Sequence, residues 1–220
     1  MQVKVLTEIL RANDAQAEQN RKLLDSRRVF LLNVMASPGA GKTTFLIDVT
    51  RRLRERLRIG VIEADVASTV DAEKVAEEGI PVLQINTGGG CHIEARQMAD
   101  ALSRFPLDRV DVLFLENVGN LVCTAGYRLG EHRRIVISSV PEGDDKPYKY
   151  PTMFHVVDAV VVSKSDLAPH VRYDFDEFSR AVRSINRDVD IFRLSAVTGE
   201  GMEKWCEWLV AQVEATRRCG

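Results

Sequence analysis

The stretch A-S-P-G-A-G-K-T-T, Ala36 to Thr44, follows the apolar run V-F-L-L-N-V-M, Val29 to Met35. No other feature of the chain limits its fold as severely. A buried strand must end here, a glycine-rich turn must follow, and a helix must begin at the Gly-Lys-Thr. The pattern is G-x-x-x-x-G-K-[ST] with Ala36 in place of the first glycine. Alanine at the end of a strand keeps φ negative, so the loop is not spoiled. Backbone N–H groups of Ser37, Gly39, Ala40, Gly41 and Thr44 would then wrap the phosphates at a helix N-terminus. Lys42 would bridge the β- and γ-phosphates, and the Thr43 hydroxyl would bind Mg²⁺. Ser37 stands where some ATPases carry a second lysine, which disfavours that class.

From residue 29 onward, apolar runs alternate with charged helical stretches. Strands are predicted at 29–36, 59–65, 81–86, 110–117, 134–140, 157–163 and 190–194. Helices are predicted at 42–57, 71–78, 92–104, 174–186 and 201–216. Several strands lack strict alternation, as strands buried on both faces do. The order predicts an α/β, three-layer P-loop NTPase fold with a mostly parallel, about seven-stranded sheet. Residues 1–28 read as an N-terminal extension of one or two amphipathic helices, with apolar positions Val5, Leu6, Ile9, Leu10, Leu23 and Leu24. Residues 29–220 read as the domain that carries the phosphate loop.

The base is read from V-V-V-S-K-S-D-L. GTPases carry [NT]-K-x-D at the end of such a strand, and Ser163-Lys164-Ser165-Asp166 matches apart from Ser163. Asp166 can accept from N1–H and the 2-amino group of guanine, and adenine offers neither donor in that arrangement. The Lys164 stem would cover the base plane. Ser195-Ala196-Val197-Thr198-Gly199 fits the S-A-x-x-G turn, with the Ala196 N–H facing the guanine oxygen. The strand D-V-L-F-L-E-N-V-G ends in Glu116-x-x-Gly119, where GTPases usually show D-x-x-G. Glu116 would serve Mg²⁺ and the Gly119 N–H the γ-phosphate. Of Glu63, Asp65 and Asp71, Asp65 is preferred as a second Mg²⁺ carboxylate, with a helix cap as its alternative role. No glutamine stands beside Gly119 to orient water; Asn117 and Asn120 are the nearest amides.

Cys91 and His92 are adjacent in G-G-G-C-H, at the predicted start of a helix. Cys123 follows Gly119 in N-L-V-C. Both loops leave the carboxyl edge of a parallel sheet, so two thiols and one imidazole can converge there. Soft thiolate plus imidazole suits Zn²⁺ or Ni²⁺. Three ligands leave a tetrahedral ion one short, to be completed by water or by a second copy of the chain. Cys206 reads as packing and Cys219 as part of the tail. His132, His155 and His170 show no partner. Lys146 and Lys149 follow a strand and are placed to reach a nucleotide, in the same chain or across a dimer.

Taken together, S-P-G-A-G-K-T-T, L-E-N-V-G-N-L-V-C, G-G-G-C-H and P-E-G-D-D-K-P-Y-K-Y-P (Pro141 to Pro151) resemble the HypB family of nickel-inserting GTPases, which serve nickel–iron hydrogenase maturation. The resemblance implies slow GTP hydrolysis, GTP-favoured dimerisation and a Ni²⁺/Zn²⁺ site on Cys91, His92 and Cys123. It implies a second copy, a zinc-binding co-chaperone and the hydrogenase large-subunit precursor as partners. Urease accessory GTPases are the nearest alternative, but they tend to carry Cys-Pro-His. A GTP-gated dimerisation switch with purely structural zinc is a further one. Residues 1–90 contain no Cys and no His, so metal must use the site in the GTPase domain.

Composition excludes other classes. Lys plus Arg is 30 and Asp plus Glu is 32, a net charge of −2, which argues against a nucleic-acid binder acting by bulk charge. The basic run from Arg51 to Arg58 is interrupted by Glu55 and lacks aromatics, so it reads as a solvated helix face. No apolar run is long enough for a membrane span and no signal-peptide core is seen. The expected compartment is the cytoplasm, with the thiols reduced.

Overall fold

The structure, a computed structural model, describes residues 2–219; of residues 2–9 and 219 it describes the backbone alone. The positions Val5, Leu6 and Ile9 and the Cys219 thiol therefore lie outside the described side chains. The chain runs α1 (Gln2–Ser26), β1 (Phe30–Ala36), α2 (Lys42–Leu53), β2 (Ile59–Asp65), α3 (Val70–Glu77), β3 (Val82–Asn86), α4 (Ala95–Arg104), β4 (Val112–Glu116) and β5 (Arg133–Ser139). It continues through α5 (Lys146–Lys149), α6 (Pro151–His155), β6 (Ala159–Ser163), α7 (Phe175–Ile185), β7 (Asp190–Arg193) and α8 (Met202–Cys219). The strands form one 7-stranded sheet in the order β3-β2-β4-β1-β5-β6-β7. Every pairing is parallel.

Register explains where the site lies. β1 pairs with β4 at Val34↔Glu116 and with β5 at Ala36↔Ile137. β2 pairs with β4 at Glu63↔Glu116. The carboxyl ends of β1, β2 and β4 thus meet at one edge, where ligands bind in sheets of this kind. β1, β4 and β6 are buried along their whole length, as the unbroken apolar runs predict. One face of the sheet packs Phe45, Leu46 and Val49 of α2 with Trp205 and Leu209 of α8. The other packs Met98 and Leu102 of α4 with Leu24 of α1.

Residues 2–26 form a single helix rather than two. Asn13 and Asn20 stand seven residues apart, two turns up the same face. The Asn13 amide donates to Arg128 O at 2.8 Å and accepts from Ala95 N at 2.9 Å. The Asn20 amide donates to Ala95 O at 2.8 Å and Leu129 O at 3.0 Å. Gly130 sits beneath this seam with φ +100; a Cβ there would lie 2.7 Å from Asn20 Cβ. Among the described residues, no helix is long and apolar enough to cross a membrane.

Two expectations are corrected. The helix predicted from residue 92 starts at Ala95, because Glu94 caps it in a reciprocal capping box with Gln97. Cys91 and His92 therefore stand in the turn before it. His132, expected to lack a partner, accepts from Leu31 N at Nδ1 (3.0 Å) and meets Asp25 through Nε2 at 2.8 Å. It also stacks on Phe30. Cys206 is buried packing, as expected.

Burial, reinforced by the positive charge of Arg21, lowers His132 to about 4 against the pull of Asp25. An unfolded chain protonates this imidazole near 6.5, so the unfolded state binds more protons as pH falls from 6.5 toward 4. The contribution of His132 is present above that window and lost within it. His132→Gln should flatten the acid loss of stability by up to about 1.4 kcal/mol per pH unit. Urea unfolding of both proteins at about pH 7, 6 and 5 checks this.

Candidate nucleotide and metal site

Gly39 and Gly41 have φ of 75° and 94°, left-handed values that side chains resist. These angles turn the chain from β1 into α2 and bare the helix N-terminus. Ala40 is buried between them, its carbonyl accepting from the Ser163 hydroxyl at 2.8 Å. Ser163, standing where an asparagine is usual, ties the base loop to the phosphate loop. Lys164 is itself left-handed, with φ 57°, and its Nζ donates to Gly39 O at 2.7 Å. A Cβ on Gly41 would lie 3.6 Å from the Lys164 stem. Ser37 hydrogen-bonds Glu142, whose carboxylate also accepts from Ser139 N and Oγ. Thr44 is exposed.

Glu116 and Glu63 face each other across β4 and β2, only 2% and 3% exposed. Glu116 Oε1 accepts from the Thr43 hydroxyl at 2.8 Å. Oε2 of each carboxyl is buried without a hydrogen-bond partner. Burial raises both carboxyls. The negative charge of Glu116 raises Glu63 further, while Lys42 pulls both back. Orphaned oxygens on buried carboxyls are met either by a proton, which their raised pKa favours, or by a cation. Hard oxygen donors beside a phosphate loop fit Mg²⁺. Sequence reasoning prefers Asp65 to Glu63. Asp65 Oδ1 accepts from Ala67 N and Ser68 N at 2.9 and 2.7 Å, which shapes the turn after β2. The cap before α3 is Thr69, not Asp65. The pairing Glu63↔Glu116 needs strand register to be seen, so no local motif reveals it.

On the base side, Asp166 Oδ1 is buried and unpartnered. Ser165 N donates to Leu194 O at 3.1 Å and its hydroxyl to Glu200 at 2.9 Å, which fixes the loop around Asp166. Ser195 is wholly buried; its hydroxyl accepts from Val197 N and Thr198 N, both at 3.2 Å. It therefore shapes the turn that presents Ala196. Lys146 pairs with Glu142 at 3.2 Å and Lys149 with Asp145 at 2.5 Å, so within this chain both expected nucleotide lysines are held by acids.

Cys91, His92 and Cys123 come together, with ligand atoms all within 4.8 Å of one another. The sulfurs are 2.9 Å apart and Cys91 Sγ is 3.6 Å from His92 Nδ1. Tyr127 stacks on the imidazole with centroids at 4.0 Å. Asn120 Oδ1 accepts from Val122 N and Cys123 N at 2.7 and 2.9 Å, folding the chain so that Cys123 turns back toward Cys91. Gly119 lies against the phosphate loop: a Cβ there would meet three Pro38 atoms at 3.1 Å. The short segment from Glu116 to Cys123 thus touches Thr43, then Pro38, then Cys91.

Fold and site together define a P-loop nucleotide-binding protein with a thiolate–imidazole cluster beside its phosphate loop. Residues 30–193 match the family described as CobW/HypB/UreG, nucleotide-binding domain. Hydrogenase maturation factor HypB of Escherichia coli (strain K12) is 41% identical over 210 residues, covering 96% of this chain and 72% of that protein. The crystal structure of HypB from Helicobacter pylori in complex with nickel superposes with TM-score 0.90 at 33% identity, over 94% of this chain and 97% of that one. That of HypB from Archaeoglobus fulgidus gives 0.87 at 35%, over 93% and 100%. The chain belongs to the CobW/HypB/UreG family and, within it, to the HypB branch.

Gly119→Ala should destabilise the fold by about 1–3 kcal/mol, because Pro38 Cα, N and Cγ, each 3.1 Å from the added Cβ, would have to be pushed back. Chemical denaturation at neutral pH measures this, and a loss within error of zero would show that the two loops are free to part.

Proposed function

We propose that this protein is a Mg²⁺-dependent GTPase that delivers nickel during maturation of nickel–iron hydrogenase, with nucleotide state coupled to dimerisation and to metal binding. One observation carries the reading: the segment joining Glu116 to Cys123 packs on the phosphate loop at Gly119 and ends in a thiol 2.9 Å from Cys91. Nickel binding by the relative from Helicobacter pylori supports Cys91, His92 and Cys123 as the cargo ligands.

Phosphates sit on the N–H groups of Ser37, Gly39, Ala40, Gly41, Lys42, Thr43 and Thr44, at the positive end of α2. Lys42 neutralises the charge that gathers on the transferred group. Thr43 and Glu116 hold Mg²⁺, with Glu63 and Asp65 as the further acids near it. When bound, Mg²⁺ neutralises phosphate charge and polarises the phosphoryl group. Asp166 selects guanine, Lys164 covers the base, and Ser195 holds the turn that offers the Ala196 N–H. Both amides nearest Gly119 are engaged: Asn117 donates to Asn33 at 3.1 Å, and Asn120 caps the Cys123 turn. Water is left without a strong orienting side chain, which supports slow turnover.

The Gly119 N–H binds the γ-phosphate, so its departure frees the loop and shifts Cys123. Nickel is then held differently in the two nucleotide states, and by linkage nickel changes nucleotide affinity reciprocally. A second copy, favoured by GTP, supplies the missing fourth ligand; a zinc-binding maturation co-chaperone and the hydrogenase large-subunit precursor are the other partners. Residues 1–28 are an extension of a GTPase domain spanning 29–220. The cytoplasm, which keeps the thiols reduced, is the setting.

Asp166→Ala should weaken GTP binding by about 100-fold or more and leave ATP binding weak, since two charge-assisted hydrogen bonds are lost. Calorimetry with both nucleotides reads the difference; equal losses for GTP and ATP would show that Asp166 does not select the base. Nickel counted by native mass spectrometry, with a GTP analogue and with GDP, tests delivery. Wild type should bind nickel with state-dependent affinity and Cys123→Ala should lose it; no nickel in either state would refute the chaperone role and spare the GTPase.

A further inference from the structure

Asn33 stands in the middle of β1, the central strand of the sheet, and is completely buried. An amide among Leu32, Val34 and Met35 costs stability unless both its ends are bonded. Both are. Its Oδ1 accepts from Asn117 Nδ2 at 3.1 Å, and its Nδ2 donates to Glu131 Oε1 at 3.4 Å. Asn117 is itself fixed: its N donates to Val34 O at 3.0 Å and its Oδ1 accepts from Val118 N at 2.9 Å. It lies between Glu116 and Gly119, inside the loop that packs on Pro38.

The other end of the chain of bonds reaches the metal loop. Glu131 is buried, and its Oε2 accepts from Leu129 N at 2.7 Å. Its Oε1 takes the Arg134 Nε–H as well. The Arg134 guanidinium, with a side chain 13% exposed, donates to Tyr127 O at 2.9 Å and Ala125 O at 3.5 Å. Those two carbonyls bracket the turn that follows Cys123, and the Tyr127 ring is the one stacked on His92. A buried ion pair seldom adds stability over apolar packing. Its use here is placement.

We propose that Asn33, Glu131 and Arg134 are positioning residues forming a buried relay. It transmits the state of the loop after β4 to the Tyr127 platform under His92 and the turn behind Cys123. This rests on the nickel-delivery reading above. When the Gly119 loop moves, the pull falls on the Asn117 side chain, whose Oδ1 is held by Val118 N on that loop and whose Nδ2 is held by Asn33. Asn33, a rigid member of β1, cannot follow without releasing Glu131, and Glu131 sets where Arg134 holds the two carbonyls. Nickel affinity thereby senses the nucleotide through the sheet's centre as well as along the chain from Gly119 to Cys123.

The test uses the full chain and Ni²⁺ alone, titrated against a competing chelator with a GTP analogue and with GDP. The thiolate-to-nickel absorption band is followed at the same time. Wild type should show a clear ratio between the two affinities. In Asn33→Leu and Arg134→Lys that ratio should fall roughly fivefold or more toward unity. One nickel per site and the affinity for the GTP analogue should be retained, and the band should shift as His92 loses its platform. Glu131→Gln, which keeps shape and an acceptor for Leu129 N, should retain part of the ratio that Asn33→Leu and Arg134→Lys lose. Since Asn33→Leu leaves Asn117 unpaired and can fold poorly, Arg134→Lys carries the test independently. Wild-type ratios in both variants would overturn the relay and leave the delivery reading standing. A wild-type ratio of unity would overturn both.

Discussion

β1 and β4 are parallel neighbours, in register at Val34↔Glu116, and the remaining geometry depends on this pairing. It sets the phosphate loop, which leaves β1, directly beside the loop that leaves β4. A glycine at 119 is needed because the two loops touch: Pro38 is 3.1 Å from where a side chain would begin. Had another strand come between them, Glu116 would not reach Thr43. The two loops are thus in van der Waals contact, the arrangement that the proposed coupling of phosphate to metal needs.

The same edge concentrates negative charge. Two buried carboxylates on adjacent strands, each with an unpartnered oxygen, are unfavourable in isolation. Lys42 offsets part of this, and the Thr43 hydroxyl another part. What remains unsatisfied is the capacity to take a cation. In the unliganded protein burial pushes both carboxyls toward the neutral form, and a cation would take the place of the protons.

Much of this was legible in the sequence. The phosphate loop, the order of strands, Asp166 and the convergence of Cys91, His92 and Cys123 all follow from short motifs plus the rule that parallel strands open their loops at one edge. Three things were not. Glu63 opposite Glu116 depends on strand register, which no local pattern encodes. The start of α4 depends on a capping box at Glu94 and Gln97, where an acid takes the place that serine or threonine usually fills. The third is a set of buried asparagines. Asn13, Asn20 and Asn33 look like ordinary polar residues in the sequence, yet each bonds partners distant in the chain. Polar residues reveal such roles only when the groups they satisfy are in place. The pair on α1 holds Ala95 at the head of α4 and carbonyls at 128 and 129, so α1 secures from behind the loops that carry Cys91, His92 and Cys123.

The Cys91–His92–Cys123 cluster differs from a structural zinc site in ways that bear on its proposed use. A structural site is closed by four protein ligands and kept from solvent. Here three ligands stand together, Cys91 is exposed and Cys123 only half-buried. His92 is held from one side by an aromatic platform instead of being enclosed. On the proposed role as a cargo site, its grip is governed by how well the three donors are aligned, which is a matter of loop position and not of burial. Two of the donors share the turn before α4, steadied by α1. The third rides on the loop that touches Pro38. Alignment therefore depends on where that loop sits against Pro38, which is the geometry that the proposed coupling of nucleotide to metal requires.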